Sequence, residues 1–364
     1  MTALTTDVLV IGLGPAGGSA AAAAARFGLR VVAIDRKKEI GQPVQCAEFI
    51  PLPLARCARP DGVLVQRITG MTTWLPSGAE AATPFPGLMI DRAAFDAALA
   101  KVARAAGAVI HTATRLTALR PEASEAIIAA PGARLKVRYR LLIAADGPNS
   151  VVARLTGLRA LPTVSTRQYT VPLIEPFEDT NIWLSPRYPG GYAWLFPKAD
   201  VANLGLGVDP RFARSMKSPL DALHRQLAAE GRLGREILFR TGGAIPVGGL
   251  RERLVNGRVV FTGDAAGLTH PITGAGIAAA VVSGERAGEA AHALIAQNKT
   301  DALNDYEEDI RDQFADSLAR AVRRRRELAR IWNTPRARSD AAHRRGWIAF
   351  REYFSEEAAC RDAA

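Results

Sequence analysis

The chain has 364 residues, 48% apolar and 23% charged, which sets an expectation of two or three domains and excludes a disordered, collagen-like or polytopic membrane protein. Its formal charge is +11, with arginine supplying 40 of 47 basic residues, and leaves three partners open: nucleic acid, an anionic membrane or an acidic protein. Cys46, Cys57 and Cys360 are odd in number and far apart, with no Cys-x-x-Cys pair. Neither a disulfide framework nor a cysteine-rich zinc site is expected, and a reducing cytoplasm is. The five histidines are scattered singly and predict no metal site.

Val8 to Ala25 is eighteen residues without a charge, a length that a hydropathy window reads as a membrane span or signal peptide. Its four glycines after Ile11, Pro15 and weakly hydrophobic alanines argue against that reading, and no basic segment precedes it. Asp7 to Ile11 instead predicts a buried strand, Pro15 to Phe27 a helix and Arg30 to Asp35 a second strand, the βαβ unit of a parallel sheet. Asp91 to Ala106 follows as a helix, Ala108 to His111 as a strand and Leu141 to Ala145 as another buried strand. From about Thr166 to Val208 the pattern changes to β-type runs broken by Pro and Gly, which predicts a second, largely antiparallel sheet. Val259 to Phe261 returns to the first pattern and precedes an Ala/Gly-rich helix from about Gly274. Asp301 to Trp332 is an amphipathic helix, with Leu303, Tyr306, Ile310, Phe314, Leu318 and Val322 at steps of three or four.

Gly12-Leu-Gly14-Pro15-Ala16-Gly17 lies between the first strand and its helix, and Asp35 ends the next strand. That context suits a dinucleotide: Gly12 for the tight turn, Gly14 for close approach of a pyrophosphate, Gly17 for helix–sheet packing and Asp35 for ribose hydroxyls. Two later segments choose among dinucleotides. Leu141-Leu-Ile-Ala-Ala-Asp146-Gly147-Pro resembles the Asp-Gly motif of FAD-dependent hydroxylases. Val259-Val-Phe-Thr-Gly263-Asp264 resembles their Gly-Asp motif, in which the Asp binds the ribityl chain. Pro271-Ile-Thr-Gly274-Ala275-Gly276 then forms a small-residue turn whose amides suit the flavin N1/O2 edge. FAD is the expected cofactor. Only one glycine fingerprint is present, so no dedicated NAD(P)H domain is expected, and the electron donor is either NAD(P)H binding transiently or an acidic ferredoxin.

Three further stretches resemble the geranylgeranyl reductase family of FAD-dependent prenyl reductases. They are Pro43-Val-Gln-Cys46-Ala47-Glu48, Asp91-Arg92-Ala-Ala-Phe95-Asp96, and Tyr192-Ala-Trp194-Leu-Phe196-Pro197-Lys198. With the FAD motifs the resemblance covers about residues 5 to 300. Two departures stand out: Gly18 where Ser is common, and Gly274-Ala275-Gly276 in place of a triple glycine. The resemblance implies an α/β fold of mixed α+β character, with a Rossmann-like FAD domain (1–50, 88–160 and 245–300). Into it is inserted an antiparallel substrate domain (51–87 and 161–244), and a helical arm (301–364) follows. It also places Arg36, Cys46, Ala47 and Arg92 near the cofactor.

The implied reaction saturates carbon–carbon double bonds of isoprenoid chains, taking a hydride from flavin N5 and a proton from a donor held close in a dry pocket. Cys46 is the candidate donor by resemblance; on its own it reads as a small buried hydrophobe. Glu48 is weighed as a ligand of flavin-facing backbone. Tyr192, Trp194 and Phe196 alternate along a strand and share one face, which with Pro197 suits either a pocket for an apolar chain or an ordinary sheet core. Trp74 and Trp183 are candidates to join that wall. Lys198 is either a phosphate ligand or a solvated lysine, and His270 a loop residue without a catalytic role. Two other functions fit the same motifs: a monooxygenase or halogenase, since Trp194-Leu-Phe196-Pro197 also resembles the halogenase motif, and a non-catalytic prenyl carrier.

Arg320 to Arg345 holds ten arginines against Glu327 and Asp340. The run Arg323 to Arg326 is accounted for by the basic end of a helix that opens with acids. Farther on, Trp347, Phe350 and Phe354 are expected on one helical face, either docked on the protein's own core or touching an anionic membrane. No nucleic-acid motif accompanies the charge. A cytoplasmic protein, with peripheral membrane contact through this arm as an option, is the resulting expectation.

Overall fold

A computed structural model describes residues 3–213 and 215–355, so Cys360 lies outside the described residues. The strands are numbered β1 to β17 and the helices α1 to α8 along the chain. The uncharged opening run divides into β1 (Ala3–Ile11) and α1 (Pro15–Arg26), with no membrane span in it. Pro15 starts the helix where a missing N–H costs nothing. Ala16 to Ala25 are all buried in α1, because the helix is enclosed on more than one side.

Around β1 a parallel sheet forms in the order β17 (Val259–Phe261), β9 (Ala133–Ala144), β1, β2 (Val31–Ile34) and β6 (Val109–His111). β16 (Val255–Asn256) adds an antiparallel edge to β17, and β7 (Arg115–Arg120) with β8 (Glu125–Ala130) folds back on the first half of β9. Leu9, Val10, Leu142, Ile143 and Phe261 are wholly buried. Each contributes about 1.5–3 kcal/mol by leaving water, so this parallel core dominates the stability of the layer. α2 (Arg92–Ala105) and α6 (Ile277–Ile295) pack on α1. The approach of α6 is close: a Cβ on Gly284 would lie 2.2 Å from the Ala16 carbonyl oxygen, and one on Gly288 2.5 Å from Ala23 Cβ. Gly18 has a matching reason, since a Cβ there would meet Leu99 of α2 at 2.9 Å.

The second sheet orders β14 (Phe239–Thr241), β10 (Thr163–Pro172), β13 (Val201–Val208), β12 (Ala193–Lys198), β11 (Asp179–Trp183), β4 (Leu64–Trp74), β5 (Glu80–Ile90) and β3 (Phe49–Pro51). β15 (Ala244–Pro246) pairs with β10, and every pairing is antiparallel except β11 with β4. One face of this sheet is covered by α4 (Lys217–Ala229), whose Leu220, Leu223 and Leu227 bury against Val171, Leu204 and Leu206. Short helices α3 (Val151–Leu155) and α5 (Gly263–Ala266) follow β9 and β17 in the parallel sheet.

α7 (Ala302–Ala329) buries Leu303, Tyr306, Ile310 and Leu318 of the expected stripe, while Phe314 and Val322 are half-buried; the Tyr306 hydroxyl donates to the Phe261 carbonyl at 2.7 Å. The aromatic face expected beyond it does not form as one helix. α8 (Asp340–Gly346) ends at Gly346, where a Cβ would collide with Leu328, and Trp347 turns to extended backbone. Trp347 and Phe350 bury against Met71, Ile182, Leu184 and Trp194 of the second sheet, whereas Phe354 stays exposed. The arm therefore docks on the protein's own core. Among the described residues no helix is long and apolar enough to cross a membrane.

Candidate active site

Three turns at the ends of parallel strands form a cradle. Gly12, at φ +96°, leaves no room for a side chain, since a Cβ would lie 2.4 Å from the Ala145 carbonyl oxygen; Gly17 is pressed as tightly on Gly12. Gly14, by contrast, has nothing within 4 Å of where a Cβ would be, and no side chain caps the α1 N-terminus that it begins. Open space before uncapped amides is what a pyrophosphate requires. Asp35 ties the turn together: its carboxylate accepts from Leu13 N and Lys37 N, each at 2.8 Å, while Arg36 is exposed.

Asp146 and Gly147 follow β9. The Asp146 carboxylate accepts from Ser150 Oγ at 2.6 Å and Val152 N at 3.0 Å, so its own side chain shapes the turn into α3, and burial pushes its carboxyl up. Gly263 and Asp264 follow β17. Asp264 accepts from Thr269 Oγ1 at 2.5 Å and is also pushed up by burial; a Cβ on Gly276 would lie 3.2 Å from its Oδ1. The Pro271–Gly276 loop thus folds directly against Asp264. Its positive φ falls at Gly274, at +71°, and not at Ala275, which explains why alanine is accepted there. These residues fit FAD.

The opposite side of the site is the Val44–Glu48 loop. Cys46 Sγ accepts from Glu48 N at 3.2 Å, and burial pushes the thiol up while the nearby Arg92 guanidinium pulls the other way. Arg92 pairs bidentately with Asp96 at 3.0 Å; burial alone would lower it, but Asp96 and Cys46 hold it above its ordinary value. Glu48 is 4% exposed and sits at φ +72°, a strained position for a residue with a Cβ. Its carboxylate accepts from Lys198 Nζ at 2.9 Å on both oxygens, from Asn203 Nδ2 at 2.8 Å and from Arg92 N at 2.9 Å. Lys198 is therefore neither a phosphate ligand nor a solvated lysine, and Glu48 joins the two sequence stretches that carry them.

Tyr192, just before β12, and Trp194 and Phe196 within it do share one face. The Tyr192 hydroxyl donates to Thr273 O of the cofactor loop, and its ring meets Trp194 at 5.7 Å and Trp347 at 4.8 Å between centroids. Phe196 continues the wall edge-on to Phe49, which stacks on Phe85. Pro197 is buried in β12 beside it. Trp74 and Trp183 do not join: they pair across β4 and β11 on the other face, Trp183 against the apolar cluster that α4 covers and Trp74 in an open polar groove with Arg232. His270 is held to about 4 by burial and spends its ring on structure, Nδ1 accepting from Thr273 N and Nε2 facing the Tyr353 hydroxyl.

Sequence reasoning overlooked Gln168, Asn203 and Arg325. Gln168 and Asn203 were visible as polar residues set inside apolar strands. Arg325 was hidden in a basic run, yet it pairs with buried Asp209 at 3.1 Å and donates to Gly190 O at 2.7 Å and Pro271 O at 3.5 Å.

Comparison with known proteins agrees with this architecture. The family description "Geranylgeranyl reductase catalytic domain" matches residues 163–244, which span β10 to β14 and reach into β15, and "Lycopene cyclase protein" matches residues 211–354. Digeranylgeranylglycerophospholipid reductase 1 of Methanothermobacter thermautotrophicus is 33% identical over 342 residues, 87% of this chain and 85% of that protein. A geranylgeranyl bacteriochlorophyll reductase-like protein of Thermoplasma acidophilum superposes with a TM-score of 0.87 at 26% identity, covering 97% of this chain and 94% of that one. Aklavinone-11 hydroxylase, solved with FAD and aklavinone, shares the fold at a TM-score of 0.72 and 20% identity, over 93% of this chain and 73% of that one. With the glycine cradle, the cysteine loop and the aromatic strand in one site and a relative this similar along nearly its whole length, the chain belongs to the geranylgeranyl reductase family and is an FAD-dependent oxidoreductase.

Proposed function

We propose that this protein saturates carbon–carbon double bonds of geranylgeranyl-type isoprenoid chains on a lipid, the substrate class that its relatives' names state. The observation that carries this reading is the joining of the cysteine loop to the aromatic strand, with the cofactor cradle facing both. Bound and reduced, FAD supplies a hydride. The chain's own part is to hold an apolar substrate, exclude water and deliver a proton. Tyr192, Trp194 and Phe196 offer only apolar contact, which is all that an isoprenoid can use, while Pro197, one residue on in β12, falls on the opposite face.

Cys46 is the proton donor in this reading. Burial keeps the proton on its sulfur at neutral pH, and the Arg92 guanidinium meets the thiolate left after transfer. One hydride and one proton add per double bond, and solvent returns the proton to the thiolate. Electrons enter from an external donor, a pyridine nucleotide or an acidic ferredoxin, and rapid-mixing reduction of the bound flavin by each separates the two. Contact with an anionic membrane would use the exposed Arg323 and Arg326 of α7 and Arg330 just after it, and co-sedimentation with anionic vesicles tests it.

The decisive experiment reduces the bound flavin without oxygen and offers geranylgeranyl lipids. Product gaining two hydrogens per double bond supports the proposal; turnover only with oxygen, yielding a hydroxylated product, overturns it. Cys46→Ser should impair reduction and leave FAD bound, and unchanged activity would remove Cys46 from the mechanism.

A further inference from the structure

The second sheet grips the cysteine loop one residue at a time. Thr241 Oγ1 donates to Val44 O at 2.8 Å, Gln45 Nε2 to Gly242 O at 2.8 Å, and Gln168 Nε2 to Cys46 O at 3.0 Å. Among these ties the one at Cys46 has a second end. Gln168, 4% exposed, also accepts from the indole Nε1 of Trp194 at 3.1 Å. A single buried amide therefore joins the aromatic wall to the backbone of the residue proposed to give the proton.

We infer that Gln168 is a positioning residue, which sets the Cys46 thiol in register with the substrate wall through Trp194. The inference rests on the reading of Cys46 as proton donor. Its chemistry is restrictive. An indole N–H can only donate and a backbone carbonyl can only accept, so the side chain between them must offer one acceptor and one donor. Glutamine does this in one orientation only. Glutamate would still accept from Trp194 but would set a carboxylate oxygen against the Cys46 carbonyl. Leucine would leave both groups unpaired in a buried place. The indole rests on the backbone of the neighbouring strand, where a Cβ on Gly205 would meet its ring.

The test uses full-length, FAD-loaded protein in a Cys57→Ala/Cys360→Ala background, with Gln168→Leu, Gln168→Glu and Trp194→Phe. Alkylation of Cys46 by iodoacetamide is followed against pH, beside kcat and KM for a geranylgeranyl lipid and FAD affinity. The expected result is a shifted alkylation profile in all three variants. For Gln168→Leu and Gln168→Glu kcat should fall by about tenfold or more, the expected effect of a misplaced proton donor, with KM and FAD affinity kept. Adding Trp194→Phe to Gln168→Leu should shift the profile no further, because the path is already cut. An unchanged alkylation profile in folded, FAD-loaded Gln168→Glu overturns the inference, as does additive behaviour of the double variant. Should both Gln168 variants fail to fold, Trp194→Phe alone decides, since its profile must move. Wild-type activity of Cys46→Ala would refute the donor reading, while the alkylation profiles would still decide whether Gln168 positions the loop.

Discussion

Lys198→Met removes the cation from a pair whose two side chains are 17% and 5% exposed. An exposed ion pair is worth about 0–1 kcal/mol, whereas breaking a buried one costs about 3–5 kcal/mol because a charge is left without compensation. Glu48 would keep Asn203 Nδ2 and Arg92 N as donors, which places the loss at the lower end, about 3 kcal/mol. Glu48→Gln should cost a comparable amount, since an amide NH2 would face one of the donors that now converge on the carboxylate. The double variant removes both charges and should cost clearly less than the two single losses added together, with a coupling of about 2 kcal/mol or more. Urea unfolding at fixed FAD saturation measures each corner of this cycle, the denaturant slope serving as the check that only stability has changed. A Lys198→Met loss below about 1 kcal/mol at constant slope would show that the pair behaves as a solvated one, and would refute the account of how the two sequence stretches are joined.

Gly284→Ala should destabilise the protein by about 1–3 kcal/mol or more and lower its FAD content, because the new methyl meets the Ala16 carbonyl at the head of α1; melting temperature and flavin absorbance measure both. Arg325→Met should cost about 1–3 kcal/mol, because Asp209 keeps its pair with Arg211 while the Gly190 and Pro271 carbonyls lose their buried donor, whereas Arg326→Met next to it, an exposed residue, should stay within about 0.5 kcal/mol; equal effects in urea unfolding would contradict the packing described. His270, lowered by burial from 6.5 to about 4, refuses a proton that the unfolded chain accepts between those values. Its contribution is whole above pH 6.5 and is lost as pH falls toward 4, a change of about 3 kcal/mol. His270→Gln should flatten stability against pH in that window, and an unaltered slope would refute this.

Much of the parallel layer was legible because its signals are local. A glycine turn after an apolar strand and an acid at the end of the next one identify β1, α1 and β2 with no tertiary information. The alternation of Tyr192, Trp194 and Phe196 likewise announced their common face. Which aromatics lay opposite was not legible, since Trp74 and Trp183 differ from the wall residues only in strand parity relative to a partner far along the chain. The fate of Lys198 was hidden for a similar reason: its partner Glu48 lies 150 residues away. The arm failed as a single helix at Gly346, a residue of low helix propensity whose missing Cβ also leaves room for Leu328 of α7.

The four consecutive arginines of α7 point in two directions. Arg324 is buried, bonded to Glu327 and the Tyr353 carbonyl, and Arg325 to Asp209, while Arg323 and Arg326 face solvent. Arg344 and Arg345 also end on carboxylates, of Glu352 and Glu327. Charge neutralised inside the fold casts little field beyond a Debye length, which is about 8 Å at physiological salt. A partner approaching this arm would therefore meet the solvent-facing arginines and not all ten, and its association rate would fall with ionic strength as gently as that smaller number dictates.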